Sequence, residues 1–218
     1  MRIKAIFFDL DNTLVNTANI SQAAYKKAID FLAQKLSFDE EIIFKQWRVT
    51  VKKLKFSKNP KERSFEYSLA QTLGKLNLDK SFIPDAVRIL EDEVAAKLSL
   101  TKGSRRFLEQ DLSVLKILIT EGSQRLTDLK LNKFNLKDRF DLIFNSDEMK
   151  VMKPSIKYYE RAWKKFKLKA EECLYVGDNW EKDCQIGQEQ GGIGVLFSKK
   201  SKKANYCIHD MMQLNNFL

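Results

Sequence analysis

The chain has 218 residues, 44% of them apolar, and a formal net charge of +10. That length allows one large domain or one domain carrying an insertion, and no stretch approaches the roughly 18 consecutive apolar residues of a membrane span. The first apolar run is broken at Asp9, too early for a signal-peptide core, so no membrane association and a soluble, cytoplasmic protein are expected. Cys173, Cys184 and Cys207 are odd in number and lack metal-ligand spacing, and they read as reduced core thiols. The basic balance suits either nucleic acid or a small anionic substrate. No zinc-finger spacing, RNA-binding signature or long basic helix accompanies it, which argues against nucleic acid as the partner.

Ile3, Ala5, Ile6, Phe7 and Phe8 form a nearly continuous apolar run, the pattern of a strand buried on both faces of a parallel sheet. Asp9 and Asp11 begin where the run stops. At the carboxyl end of such a strand, two acids two residues apart are placed to act on one site; capping of the next element is the plainer use of the same residues. About a hundred residues then pass without a clear strand signal. Ile20, Ala24, Ala28, Phe31 and Leu32 recur at helical spacing, with Asn19 or Ser21 available as a cap. Ile43, Trp47, Val51 and Leu54 repeat the pattern, as do Phe65, Leu69, Leu73 and Leu76, and then Ile83, Val87, Leu90, Val94 and Leu98. A parallel crossover needs only about a dozen residues. The spacing therefore predicts a helical domain inserted into the first crossover, with hinges near residues 14–17 and 98–103 and the natural role of a lid.

From residue 103 the elements alternate. A short helix over 104–110 precedes a strand over 114–119 that ends in Thr120, and a helix through Leu126 and Leu129 leads to a strand over 141–145. Lys153-Pro154 should open a helix carrying Ile156, Tyr159, Trp163 and Phe166, with Pro154 in its first turn. A strand over 173–176 ends in Gly177-Asp178, a short helix follows to residue 190, and 193–197 is a final core strand, with 206–208 a candidate edge. This predicts an α/β fold: a doubly wound, Rossmann-like parallel sheet over 1–15 and 100–218, with an inserted α-helical cap over 16–99. The strand ends carrying Asp9, Asp11, Thr120, Lys153, Asp178 and Asp183 then converge on one rim.

The chain resembles the haloacid dehalogenase-like hydrolase superfamily. Its opening motif reads FFDLDNT over 7–13, the second ILIT over 117–120, the third Lys153-Pro154 and the fourth VGDNWEKD over 176–183. The insert between the first and second motifs is similar to that of the helical-cap phosphatases. By that resemblance, the Asp9 carboxylate, the Asp11 main-chain carbonyl and the Asp178 carboxylate hold magnesium, and Asp183 orients them from behind or beside the ion. Thr120 and Lys153 bind phosphate, and Thr13 belongs to the motif in support.

The residue types suit this chemistry. A carboxylate at Asp9 can form an aspartyl-phosphate, splitting one hard displacement into two easier ones, and Asp11 can act as general acid and then base. Magnesium favours oxygen ligands, and Lys153 offsets repulsion among several acids. The expected function is a magnesium-dependent phosphatase acting on a small phosphorylated metabolite. The family's dehalogenases lack the second carboxylate, so Asp11 argues for phosphoryl chemistry. A phosphomutase, or a non-catalytic binding protein with a basic surface, are the alternatives.

Two features depart from the pattern. The residue after Thr120, often Asn in this group, is Glu121. Its carboxylate should turn away from phosphate, bind a substrate hydroxyl or pair with a cation. Between Phe44 and Ser64 the insert carries Lys45, Arg48, Lys52, Lys53, Lys55, Lys58, Lys61 and Arg63 against the single acid Glu62. Such a run is either a solvated helix face or a means of holding anions.

Overall fold

A computed structural model describes residues 2–218, the side chains of 18–21 excepted, so the capping expected of Asn19 or Ser21 and the burial of Ile20 lie outside the described residues. The chain divides into two compact units, residues 1–17 with 99–218 and residues 18–98.

The first unit is built on a parallel six-stranded sheet: β1 (Ala5–Phe8), β4 (Leu115–Ile119), β5 (Leu142–Phe144), β6 (Cys173–Gly177), β7 (Ile193–Phe197) and β8 (Tyr206–Ile208), in the order β5-β4-β1-β6-β7-β8. β1 is central, pairing with β4 on one side and β6 on the other. Its four residues are all buried, which is why the run reads as continuous rather than alternating. The strand order reverses between β4 and β6 around β1, the place where an open α/β sheet forms a crevice at its carboxyl rim. On one face Phe7 stacks on Tyr175, their rings 5.1 Å apart, and both meet Tyr159 edge-on. A short antiparallel ribbon of β2 (Val15–Asn16) and β3 (Ser99–Leu100) lies at the two chain connections; two residues per strand leave no sequence signal.

Helices α5 (Ser104–Leu108), α6 (Gln124–Lys133), α7 (Ser146–Met149), α8 (Ile156–Phe166) and α9 (Gln185–Glu189) belong to the same unit. Pro154 does not open α8. The helix starts at Ile156 behind Ser155, because Lys153 is occupied in the rim, its backbone N–H donating to Glu121 and its side chain to two carboxylates. The stretch after Asp178 begins as a π-helical segment, Trp180–Cys184, before α9. Cys173 and Cys184 are buried, Cys207 is partly buried, and all are free thiols.

The second unit holds α1 (Ala18–Leu36), α2 (Glu40–Leu54), α3 (Phe65–Lys75) and α4 (Ile83–Lys97). α1 packs on α2 and α4, and α3 closes the bundle against α2 and α4. Ala24, Ala28, Leu32, Ile43, Leu69 and Leu73 are fully buried between them. Asp39 and Ser64 cap α2 and α3, each side chain accepting a backbone N–H from the first turn. Val51 departs from the expected apolar face of α2: it is 37% exposed. No helix among the described residues is long and apolar enough to cross a membrane.

Candidate active site

Asp9 is the first residue past β1, and its N–H donates to the Val176 carbonyl of β6 at 2.9 Å, which holds it at the sheet's end. The chain then turns sharply through Asn12, in the left-handed region at φ 61°, a conformation asparagine tolerates. That turn folds Thr13 back. Thr13 is fully buried and donates its hydroxyl to Asp9 Oδ2 at 3.0 Å. The other Asp9 oxygen accepts from Lys153 Nζ at 2.6 Å, so both are held.

Lys153 reaches the same place from the loop before α8. Its side chain is only 2% exposed and also donates to Asp183 Oδ1 at 2.8 Å. Burial works against this ammonium, but Asp9 and Asp183 outweigh it and hold its pKa well above the ordinary lysine range. Lys150, three residues earlier in the chain, is exposed and takes no part in this network. Asp183 is buried at the π-helical segment, where Oδ2 accepts from the Asn179 N–H at 3.1 Å. Gly177 makes this approach possible, since a Cβ there would lie 2.2 Å from the Asp183 Cβ.

Asp9, Asp178 and Asp183 each offer a carboxylate oxygen, all within 4.8 Å of one another. Burial pushes the Asp9 carboxyl up to about 7; Lys153 pulls it down, while Asp183 and Asp11 push it further up. Partial crowding of its carboxyl, with Asp183 adding to it, pushes Asp178 up to about 6, although the residue stays exposed at the rim. Three clustered carboxylates against one ammonium leave an uncompensated negative charge, and hard oxygens are the donors a divalent cation such as magnesium prefers. The donor set therefore fits that ion.

Thr120 follows β4, the neighbour of β1, and is 1% exposed; its N–H donates to the Phe144 carbonyl and its Oγ1 accepts from the Gly122 N–H. Glu121 pairs with Lys182 at 2.5 Å, and its other oxygen accepts the Lys153 backbone N–H at 3.2 Å. Of the outcomes the sequence left open, it takes the cation, and in doing so it ties the loops after β4 and β6 to the Lys153 loop.

Sequence reasoning missed Lys130. From α6 its Nζ donates to Asp11 Oδ1 at 2.5 Å, and its side chain is 8% exposed. Thr127, Lys130 and Leu131 form the buried face of α6. A lysine three residues after Thr127 and next to Leu131, in the inward register of α6, was the available signal. Tyr159, which the spacing places on the apolar face of α8, also donates its hydroxyl to the Asp183 carbonyl at 3.1 Å.

Comparison with known proteins bears on this arrangement. Over 208 residues the chain is 28% identical to the glyceraldehyde 3-phosphate phosphatase of Pyrococcus furiosus, covering 93% of this chain and 83% of that protein. It is 28% identical over 217 residues to the N-acylneuraminate-9-phosphatase of Mus musculus, covering 92% and 84%. The hydrolase YfnB of Bacillus subtilis, solved with magnesium, superposes with a TM-score of 0.72 at 19% identity over 100% of this chain and 99% of that one. The family model for haloacid dehalogenase-like hydrolases matches residues 6–196, from the middle of β1 into β7. That span takes in Asp9, Thr120, Lys153, Asp178 and Asp183, and the chain belongs to the haloacid dehalogenase-like hydrolases.

Proposed function

We propose that this hydrolase is a magnesium-dependent phosphatase of small phosphomonoesters, with Asp9 as its nucleophile. The observation that carries the reading is the environment of Asp9: a carboxylate at the rim with Lys153 on one oxygen and Thr13 on the other. Those two contacts fix the direction in which the carboxylate faces an incoming phosphorus atom. Asp9, Asp178 and the Asp11 carbonyl would hold magnesium, with Asp183 beside them, and the bound ion would neutralise charge on carboxylate and phosphoryl oxygens.

Within that frame, an Asp9 oxygen attacks phosphorus and the ester oxygen leaves with a proton from Asp11, giving the free alcohol and an aspartyl-phosphate. Asp11 then takes a proton from water as the water oxygen attacks phosphorus. Inorganic phosphate departs and the Asp9 carboxylate is restored. Lys153 offsets the charge at Asp9 throughout, and the Thr120 hydroxyl is available to a phosphoryl oxygen. Lys130 holds the Asp11 side chain from α6.

The names of the relatives favour a small phosphorylated metabolite as substrate, and glyceraldehyde 3-phosphate and N-acylneuraminate 9-phosphate head the panel to be assayed. Phosphate release is measured with magnesium and then with chelator, for the wild type and Asp9→Asn side by side. Release that depends on magnesium and disappears in the variant supports the reading. Release that survives in Asp9→Asn refutes it.

A further inference from the structure

We infer that the helical unit carries a binding site of its own for a small amphiphilic anion, an acid head on an apolar body. A cavity of about 390 Å³ opens along the carboxyl-terminal half of α2, within the range of small-molecule sites. Two parallel stripes, on that helix and the residue that ends it, line it. Trp47, Val51 and Leu54, at i, i+4 and i+7, supply the apolar stripe; Arg48, Lys52 and Lys55, one residue further along, supply the cationic one.

The two stripes differ in how the unit uses them. Trp47 is anchored: its indole N–H donates to Ser68 Oγ at 2.9 Å, so the ring is fixed as a wall. Val51 beside it is left 37% exposed in the cavity. The side chains of Arg48, Lys52 and Lys55 form no ion pair or hydrogen bond among the described residues, and the single acid of this stretch, Glu62, is engaged by Ser57 and Asn59. Arg63, on the 3-10 turn at Pro60–Arg63, lines the cavity as well.

An inorganic anion would satisfy the cations and leave the apolar stripe wet, while a neutral apolar molecule would do the reverse. A ligand with both parts uses both stripes. The cavity's bounded size and its apolar stripe favour such a molecule over a polyanion, which needs an extended basic track.

The probe for the test is 1-naphthalenesulfonate, titrated into the full-length protein by calorimetry at fixed ionic strength. It carries no phosphoester, so the measurement is independent of the reaction proposed above. The expected result is one site per chain, with 2-naphthol and inorganic sulfate each binding at least tenfold more weakly. The double variant Arg48→Ala/Lys52→Ala and the single variant Val51→Asp should each weaken the probe at least tenfold, with circular dichroism unchanged because these positions are exposed. Lys164→Ala/Lys165→Ala, which removes the same charge from α8, should leave the affinity unaltered. The inference is overturned if the probe does not bind, if the two double variants weaken it equally, or if sulfate binds as well as the sulfonate. It is also overturned if a short oligonucleotide binds through Arg48 and Lys52 while the probe does not.

Discussion

The rim of the α/β unit and the outer face of α2 are both crowded with charge, and they treat it in opposite ways. At the rim each lysine is answered: Lys153 by Asp9 and Asp183, Lys130 by Asp11, Lys182 by Glu121. The cations at Arg48 and Lys52 on α2, and at Lys55 just past its end, have no partner among the described residues. Partnered charges on buried, packed elements are held in one geometry before any ligand arrives, which is what chemistry on a phosphoryl group requires. Unpartnered charges on a helix surface cost little to leave solvated and remain available to whatever binds there.

The contrast can be broken most severely at Asp9. Asp9→Asn, or removal of magnesium by chelator, should lower turnover by about a thousandfold or more, measured as phosphate release. Next comes the buried pair behind it. Lys153→Met leaves two carboxylates without their cation, and the expected loss is about 3–5 kcal/mol in the denaturant-unfolding free energy. Adding Asp183→Asn to that variant should recover part of the loss, since one orphaned charge is removed. In the helical unit, Trp47→Phe keeps an aromatic wall but deletes the bond to Ser68, and should cost about 1 kcal/mol by the same measurement. Lys182→Met breaks a more exposed pair and should cost only about 0.2–1 kcal/mol. Arg48→Ala, with no partner to lose, should fall within about 0.5 kcal/mol of the wild type; a larger effect would mean that the cation is structural and would erase the contrast.

The central strands of the main sheet and the helices of the insert were legible because they bury a continuous run or a periodic face, whereas the two-residue strands β2 and β3 carry no such signal. β1 reads from Ala5 to Phe8 because all four residues are covered, and Asp9 stands out because the run ends at it. What the sequence concealed depends on distant partners. Nothing local to Lys130 names Asp11, which lies 119 residues away, and nothing beside Glu121 names Lys182, 61 residues away. The start of α8 was misplaced because local proline chemistry favours an early helical turn, whereas three long-range hydrogen bonds hold Lys153 outside the helix. Val51 was misread because helical spacing reports which residues share a face and does not report whether that face is covered.

The most direct test of the central claim is to look for the phosphoryl group on Asp9. Enzyme mixed with magnesium and a turned-over phosphomonoester is quenched in acid within one turnover and reduced with borohydride, which converts an aspartyl-phosphate to homoserine. Peptide mass analysis should find homoserine at position 9 only when substrate and magnesium were both present. An unmodified Asp9 under conditions where phosphate is being released, or homoserine at another acid, would contradict the account.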